Sequence, residues 1–207
     1  MNRMTPEGKA KLEELIARVM KDGQARGIAV GIVNAAGEIQ YENYFGYRDA
    51  ENRLPITRDT IFGMASVTKS FTALSIMQMQ QDGLLKVDDP VSRYIPEFTN
   101  KNQSEPVKLW HLMCHSGGYF PLPRIVVDKT AQEMGIEDSL DAELIYREDF
   151  AEEGIRRVAG RLDDQTRFTG RPGQRMSYCN DGFGLLSDIV RRHSGYGSFA
   201  EYLDKKI

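Results

Sequence analysis

Cysteine is scarce in this 207-residue chain: Cys114 and Cys179 are the only two, too few for a disulfide framework. Positive charge forms no stripe. The net charge is −3 and the pI is near 5.7. The densest basic pairs, Arg156-Arg157 and Arg191-Arg192, read as helix faces, which argues against a nucleic-acid partner. No apolar run approaches the ~18 residues of a membrane span. Residues 1–20 hold no apolar core of about 7–15 residues such as a secretion signal needs. The expectation is a cytoplasmic protein with free thiols and no membrane span. Internal repeats and low-complexity tracts are absent too.

Strands are also few. After a capped helix opening at Thr5-Pro6-Glu7, with Leu12, Leu15, Ile16, Val19 and Met20 as its apolar stripe, come two strand patterns. Gly27–Val33 reads as a buried strand. The turn Asn34–Gly37 leads to a second strand, Ile39–Tyr47, making an antiparallel hairpin. Everything later reads as helix or loop. Helices are expected from Ser66 to Asp82-Gly83, at Leu109–Cys114, over Asp141–Ala159, over Gly182–His193 and from Ser198 to Lys206. A turn lies near Lys86–Pro96, loop with marginal helix at Tyr119–Ser139, and a polar loop at Arg161–Arg175. A lone hairpin is marginal in water and leaves open edges. At 41% hydrophobic residues the chain still has enough apolar surface for a core, as one domain or two small lobes.

The chemistry is concentrated in Ser66-Val67-Thr68-Lys69, at the head of an apolar segment (Phe71, Ala73, Leu74, Ile76, Met77, Met79). A helix starting there puts Ser66 and Lys69 on one face, one turn apart. A serine hydroxyl needs a base beside it to act as a nucleophile, and a lysine in a dry cleft can lose its proton near neutral pH. The helix start adds a backbone N–H and partial positive charge for an oxyanion. Spacing alone is weak, because S-x-x-K arises about once by chance in a chain this long. The competing reading is a capping hydroxyl and a solvated lysine.

Two Y-x-N triplets, Tyr41-Glu42-Asn43 and Tyr178-Cys179-Asn180, could supply a proton-carrying phenol, and their spacing does not choose between them. The first lies in the hairpin, where packing is the simpler role. The second follows Pro172-Gly173 and precedes a helix, so it can face a cleft. His111 and His115, one turn apart with Cys114 between, invite a metal reading. It is set aside because no Glu stands at 112 and Gly117 breaks the helix. Cys179 lacks a histidine base, Gly182-x-Gly184 lacks a phosphate-loop context, and Met77 and Met79 read as core filling.

Phe62–Lys69 with Phe71–Leu74, Asp82–Leu84, Asp88–Val91, Tyr94–Pro96, Leu109–Gly118, Pro172-Gly173, Ser177–Asn180 and Gly184–Leu186 together resemble the class C β-lactamase-related serine hydrolases. That family includes penicillin-binding-protein-like enzymes, carboxylesterases and D-aminopeptidases. The resemblance runs from about Gly27 to the end. It implies an α+β, β-lactamase/transpeptidase-like fold: an antiparallel sheet, of which only the first hairpin is present, and a mostly helical lobe. The lobes are expected at 1–75 and 76–207.

Carried over residue by residue, the resemblance implies Ser66 as the acylated nucleophile and Lys69 as its proton-accepting partner. Tyr178 would shuttle the proton, and Asn180 would hydrogen-bond Lys69 or the substrate amide. The Ser66 N–H would be half of the oxyanion hole. No cofactor or metal is implied, and the substrate is a small acyl compound: an ester, a D-amino amide or peptide, or a β-lactam. The family's third motif, K-T-G or H-x-G on a later strand, has no counterpart through position 207, so the chain is expected to be the N-terminal portion of such an enzyme. Without a signal peptide, an esterase or peptidase is favoured over a periplasmic β-lactamase. The alternative is an inactive truncated fragment, or a piece that self-associates or is complemented through its open sheet edge.

Overall fold

Thr5 accepts the Gly8 N–H at 3.1 Å through its hydroxyl, and Pro6 occupies the first turn, so helix α1 (Pro6–Asp22) starts where its cap dictates. The computed structural model describes residues 4–136 and 148–207, in two units, Met1–Gly63 and Met64–Ile207.

In the first unit, strand β1 (Gly27–Val33) pairs antiparallel with β2 (Ile39–Asp49), with Ala29 opposite Tyr44 and Gly31 opposite Glu42. The Asn34 side-chain oxygen closes the turn by accepting the Ala36 and Glu38 N–H groups, each at 2.9 Å. Gly37 sits there at φ +78°, a conformation glycine adopts without a Cβ penalty. The structure adds to the expected hairpin a two-residue strand, β3 (Leu54–Pro55), pairing Pro55 with Tyr47. Proline is tolerated there because β3 is an edge. Tyr41 and Asn43 both donate to the same Glu13 carboxylate oxygen at 3.2 Å, so the first Y-x-N triplet ties the hairpin to α1. The α1 stripe is only partly covered: Ile16 is buried, whereas Leu15 and Val19 are exposed.

The second unit opens with a 3-10 turn, Ala65–Val67, that feeds α2 (Thr68–Gln81). The face α2 buries is Thr72, Ser75, Ile76 and Met79, while Leu74 and Met77 are exposed. This corrects the reading of Met77 as core filling, whereas Met79 does fill the core. Thr72 and Ser75 go inside because their hydroxyls donate to the Thr68 and Phe71 carbonyls, at 3.4 and 2.9 Å. Helices α3 (Leu109–Met113), α4 (Arg124–Glu133), α5 (Glu148–Asp163), α6 (Asn180–His193) and α7 (Phe199–Lys206) follow. Helix α4 is the helical part of the stretch read as loop with marginal helix. Of the helix expected over Asp141–Ala159, residues 141–147 lie outside the described residues. The described part continues to Asp163, so residues 161–163 are helix rather than loop.

Helix α6 is the centre of this unit, packing against α2, α3, α5 and α7. Leu185, Leu186, Ile189 and Val190 are fully buried on it, each contributing about 1.5–3 kcal/mol of burial free energy. Among the described residues no helix is long and apolar enough to cross a membrane.

The last residue of α5 pins a distant loop. Buried Asp163 accepts from the Thr99 N–H at 2.5 Å, the Thr99 hydroxyl at 2.7 Å and the Asn100 N–H at 2.9 Å. Replacing Asp163 with Ala strands two backbone donors in a part-buried setting. The expected loss is about 3 kcal/mol, read as a lower urea midpoint. An unchanged midpoint would show that water satisfies those donors at no cost.

Candidate active site

Three of the four sequence-predicted side chains meet. The Ser66 hydroxyl lies 2.7 Å from the Tyr178 phenol oxygen, and Lys69 Nζ donates to Ser66 Oγ at 3.3 Å. The Ser66–Lys69 contact is local, because a 3-10 turn running into an α-helix stacks residues three apart. Tyr178 arrives from a segment 112 residues further on.

Ser66 is presented by strained backbone. Ala65 has φ +45°, a left-handed conformation that costs an L-residue with a Cβ about 1–2 kcal/mol. Such strain gathers where a side chain must be aimed. The turn leaves the Ser66 N–H without a hydrogen-bond partner among the described residues, a free donor at a helix start. The setting is open rather than the dry cleft expected for Lys69. Ser66 is exposed, Tyr178 is 43% exposed and Lys69 is half-buried.

Tyr178 is held by the loop before α6. Gly173 at φ +80° turns the chain, and its N–H donates to the Ser116 carbonyl at 2.7 Å. Thr169 N–H donates to the Gly118 carbonyl at 2.8 Å, and Ser177 N–H to the His115 carbonyl at 2.7 Å. The His115–Gly118 segment therefore laces the loop in place. His115 Nδ1 also accepts the Cys179 N–H at 3.1 Å, and its ring lies 4.2 Å from the Tyr178 ring. Gly118, at φ +82°, has no room for a Cβ, which would come within 2.6 Å of the Gly170 carbonyl.

The electrostatics suit proton transfer. Lys69 Nζ sits 5.1 Å from the centre of the Tyr178 ring and 5.5 Å from that of Phe183, within cation–π range. The Lys69 ammonium, and after it the Ser66 hydroxyl, hold the Tyr178 phenol below its ordinary value of 10. Burial, helped by the Lys69 charge, lowers His115 and keeps its ring neutral. Burial pushes the Cys179 thiol up to about 11, and that thiol donates to Asp181 at 3.4 Å, so Cys179 stands as a neighbour rather than a nucleophile.

Asn180 is the fourth sequence-predicted residue. It opens α6, is exposed, and its side chain has no hydrogen-bond partner among the described residues. Among the described residues it makes no hydrogen bond with Lys69. The histidines His111 and His115 do not converge on a metal site. Each spends Nδ1 on a backbone N–H, from Lys108 at 3.0 Å and Cys179 at 3.1 Å respectively. Among the described residues no group of three or more His, Cys, Asp or Glu is arranged to hold a metal ion. Sequence reasoning missed the contribution of His115 and Phe183 to the surroundings of Lys69 and Tyr178. His115 lay within a segment already singled out, but Phe183 carried no signal beyond its place on an apolar helix.

Comparison with known proteins extends these observations. Residues 12–207 match the family described as Beta-lactamase. The esterase EstB of Burkholderia gladioli is 34% identical over 191 residues, covering 90% of this chain and 45% of EstB. The octameric penicillin-binding protein homologue from Pyrococcus abyssi superposes with a TM-score of 0.76 at 35% identity, over 96% of this chain and 42% of that one. A class C beta-lactamase in complex with cefoxitin shares the fold at a TM-score of 0.71 and 22% identity, over 96% of this chain and 48% of that one. The chain thus spans less than half the length of the relatives it matches.

Proposed function

Because this chain belongs to the Beta-lactamase family and has the α+β, β-lactamase/transpeptidase-like fold, we propose that it carries the acylation machinery of a serine hydrolase that cleaves an ester, amide or β-lactam bond. The observation behind this reading is the contact of Ser66 Oγ with both the Tyr178 phenol, at 2.7 Å, and Lys69 Nζ, at 3.3 Å. An ester is the first choice of substrate, since a relative 34% identical is named an esterase.

In this reading Tyr178, acting as the phenolate beside Lys69, takes the Ser66 proton as Ser66 Oγ bonds to the substrate carbonyl carbon. The carbonyl oxygen becomes an oxyanion and is met by the free Ser66 N–H. Tyr178 returns the proton to the departing alkoxide or amine, and the C–O or C–N bond breaks to leave an acyl-serine. Water then repeats the sequence, giving its proton to Tyr178 and releasing the acid and the free serine. Lys69 keeps the phenol acidic and steadies Ser66 Oγ. Asn180 faces the substrate amide.

Intact-mass analysis after incubation with a fluorophosphonate and, separately, a penicillin tests this. A single adduct on Ser66 is expected with the fluorophosphonate, and a penicilloyl adduct as well if the site accepts lactams. The competing reading is a binding piece that forms no acyl bond. A cooperative melt with no adduct would support that reading instead.

The pH dependence follows from the lowered phenol. The phenolate is the acceptor, so the labelling rate rises with pH, and its midpoint lies below the ordinary value of 10. Tyr178→Phe is expected to remove that limb. A rate–pH curve that is the same in wild type and Tyr178→Phe would take Tyr178 out of the proton path.

A further inference from the structure

We propose that His115 is a positioning residue that sets the Tyr178 phenol against Ser66, by holding the residues on either side of it. The inference rests on the roles given to Ser66, Lys69 and Tyr178 above.

His115 makes three contacts with three consecutive residues. Its carbonyl accepts the Ser177 N–H at 2.7 Å. Its Nδ1 accepts the Cys179 N–H at 3.1 Å. Between these two anchors its ring lies against the Tyr178 ring, centroids 4.2 Å apart and planes inclined at 33°. The backbone of Tyr178 is thus fixed on both sides and its ring on one face. With these anchors the phenol oxygen stands 2.7 Å from Ser66 Oγ. On its other side the His115 ring contacts Phe183 at 5.0 Å. Phe183 and Tyr178 together flank the Lys69 ammonium, so one imidazole backs both groups that meet Ser66.

The conformation of His115 fits this task. Its φ is +54°, the left-handed region, where His, Asn and Asp are enriched among residues with a Cβ. That twist turns the carbonyl and the ring toward the same segment. For Nδ1 to accept an N–H, the neutral ring must carry its proton on Nε2. Asparagine suits both demands, because it tolerates this backbone and its Oδ1 stands where Nδ1 does. Phenylalanine keeps the ring and loses the acceptor.

The test uses the 207-residue chain with Ser66→Ala, His115→Asn and His115→Phe. Fluorophosphonate labelling rates are read by intact mass, and kcat and KM on a 4-nitrophenyl ester. The wild type is expected to label once, on Ser66. His115→Phe should lose about 30–100-fold in labelling rate and kcat, with KM within about 3-fold, since a phenol displaced by about 1 Å costs on the order of 100-fold. His115→Asn should recover to within about 5-fold of wild type. Wild-type rates in His115→Phe, or equal losses in both variants that track a lowered melting temperature, would overturn the positioning role. Should His115→Phe fail to fold, nitrogen-15 spectra of the wild-type histidines decide. Nδ1 of His115 bare and Nε2 protonated is expected, and a protonated Nδ1 in the neutral ring would overturn the proposal. If the wild type itself does not label, the acylation reading fails. If it labels and the variants are indifferent, only the role of His115 fails.

Discussion

Ser66→Ala is expected to abolish covalent labelling by a fluorophosphonate while leaving the thermal transition where it was. The hydroxyl is exposed and touches only Tyr178 and Lys69, so its removal opens no cavity and strands no buried donor. A stability change within about 0.5 kcal/mol is the ordinary result for such a position. The chemical loss is complete by contrast, because alanine has no atom to form the acyl bond. Intact mass on the two proteins side by side measures both halves when combined with a melt. An adduct that survives in Ser66→Ala would place the reactive hydroxyl elsewhere, and the function proposed here would fall.

The second large effect belongs to Lys69. Lys69→Met keeps the length and the apolar stem but removes the ammonium. Two things are lost together: the donor 3.3 Å from Ser66 Oγ and the charge that keeps the Tyr178 phenol acidic. The labelling rate should fall by about 100- to 10,000-fold, the range over which positioned acid–base groups act. Its pH limb should move upward toward 10 as the phenol returns to its ordinary value. Measuring rate against pH separates this from Tyr178→Phe, which is expected to have no such limb. An unmoved limb in Lys69→Met would mean that something other than Lys69 lowers the phenol.

The size of these effects does not depend on a deep pocket. Ser66 and Tyr178 are exposed, and what distinguishes the site is order rather than burial. A strained Ala65 aims the serine, a laced loop aims the phenol, and the Lys69 side chain lies beside both. Exposure weakens each electrostatic interaction through solvent screening, so covering the site would sharpen the same geometry.

Much of the local structure could be read from residues acting within one turn of themselves. Thr5 with Gly8, Asn34 with Glu38, and Ser198 with Glu201 are caps and turns whose hydrogen bonds span three or four residues. Their outcome hardly depends on the rest of the chain. The same is true of Ser66 and Lys69, where three-residue spacing at a helix start brings hydroxyl and amine together. The α6 stripe of Leu185, Leu186, Ile189 and Val190 was equally plain, because a 3.6-residue period survives any choice of partner.

Other features depended on partners far away in sequence. Nothing in α2 announced that Thr72 and Ser75 would face inward while Leu74 and Met77 faced out. That choice follows from which side α6 packs against. The two-residue strand β3 has no pattern of its own and exists because β2 offers it an edge. The two Y-x-N triplets have identical spacing, yet Tyr41 and Asn43 are both taken by Glu13 while Tyr178 reaches Ser66.

The sequence by itself determined most of the elements, several of their caps and the pairing of Ser66 with Lys69, since each of these is decided by contacts within a few residues. Only the tertiary structure decided which tyrosine joins them, that His115 backs it, and that Asn180 stands free at the head of α6. The contacts of Tyr178 and His115 close loops of 112 and 64 residues, and such closures are set by the packing of the helices around α6 rather than by any local preference of the chain.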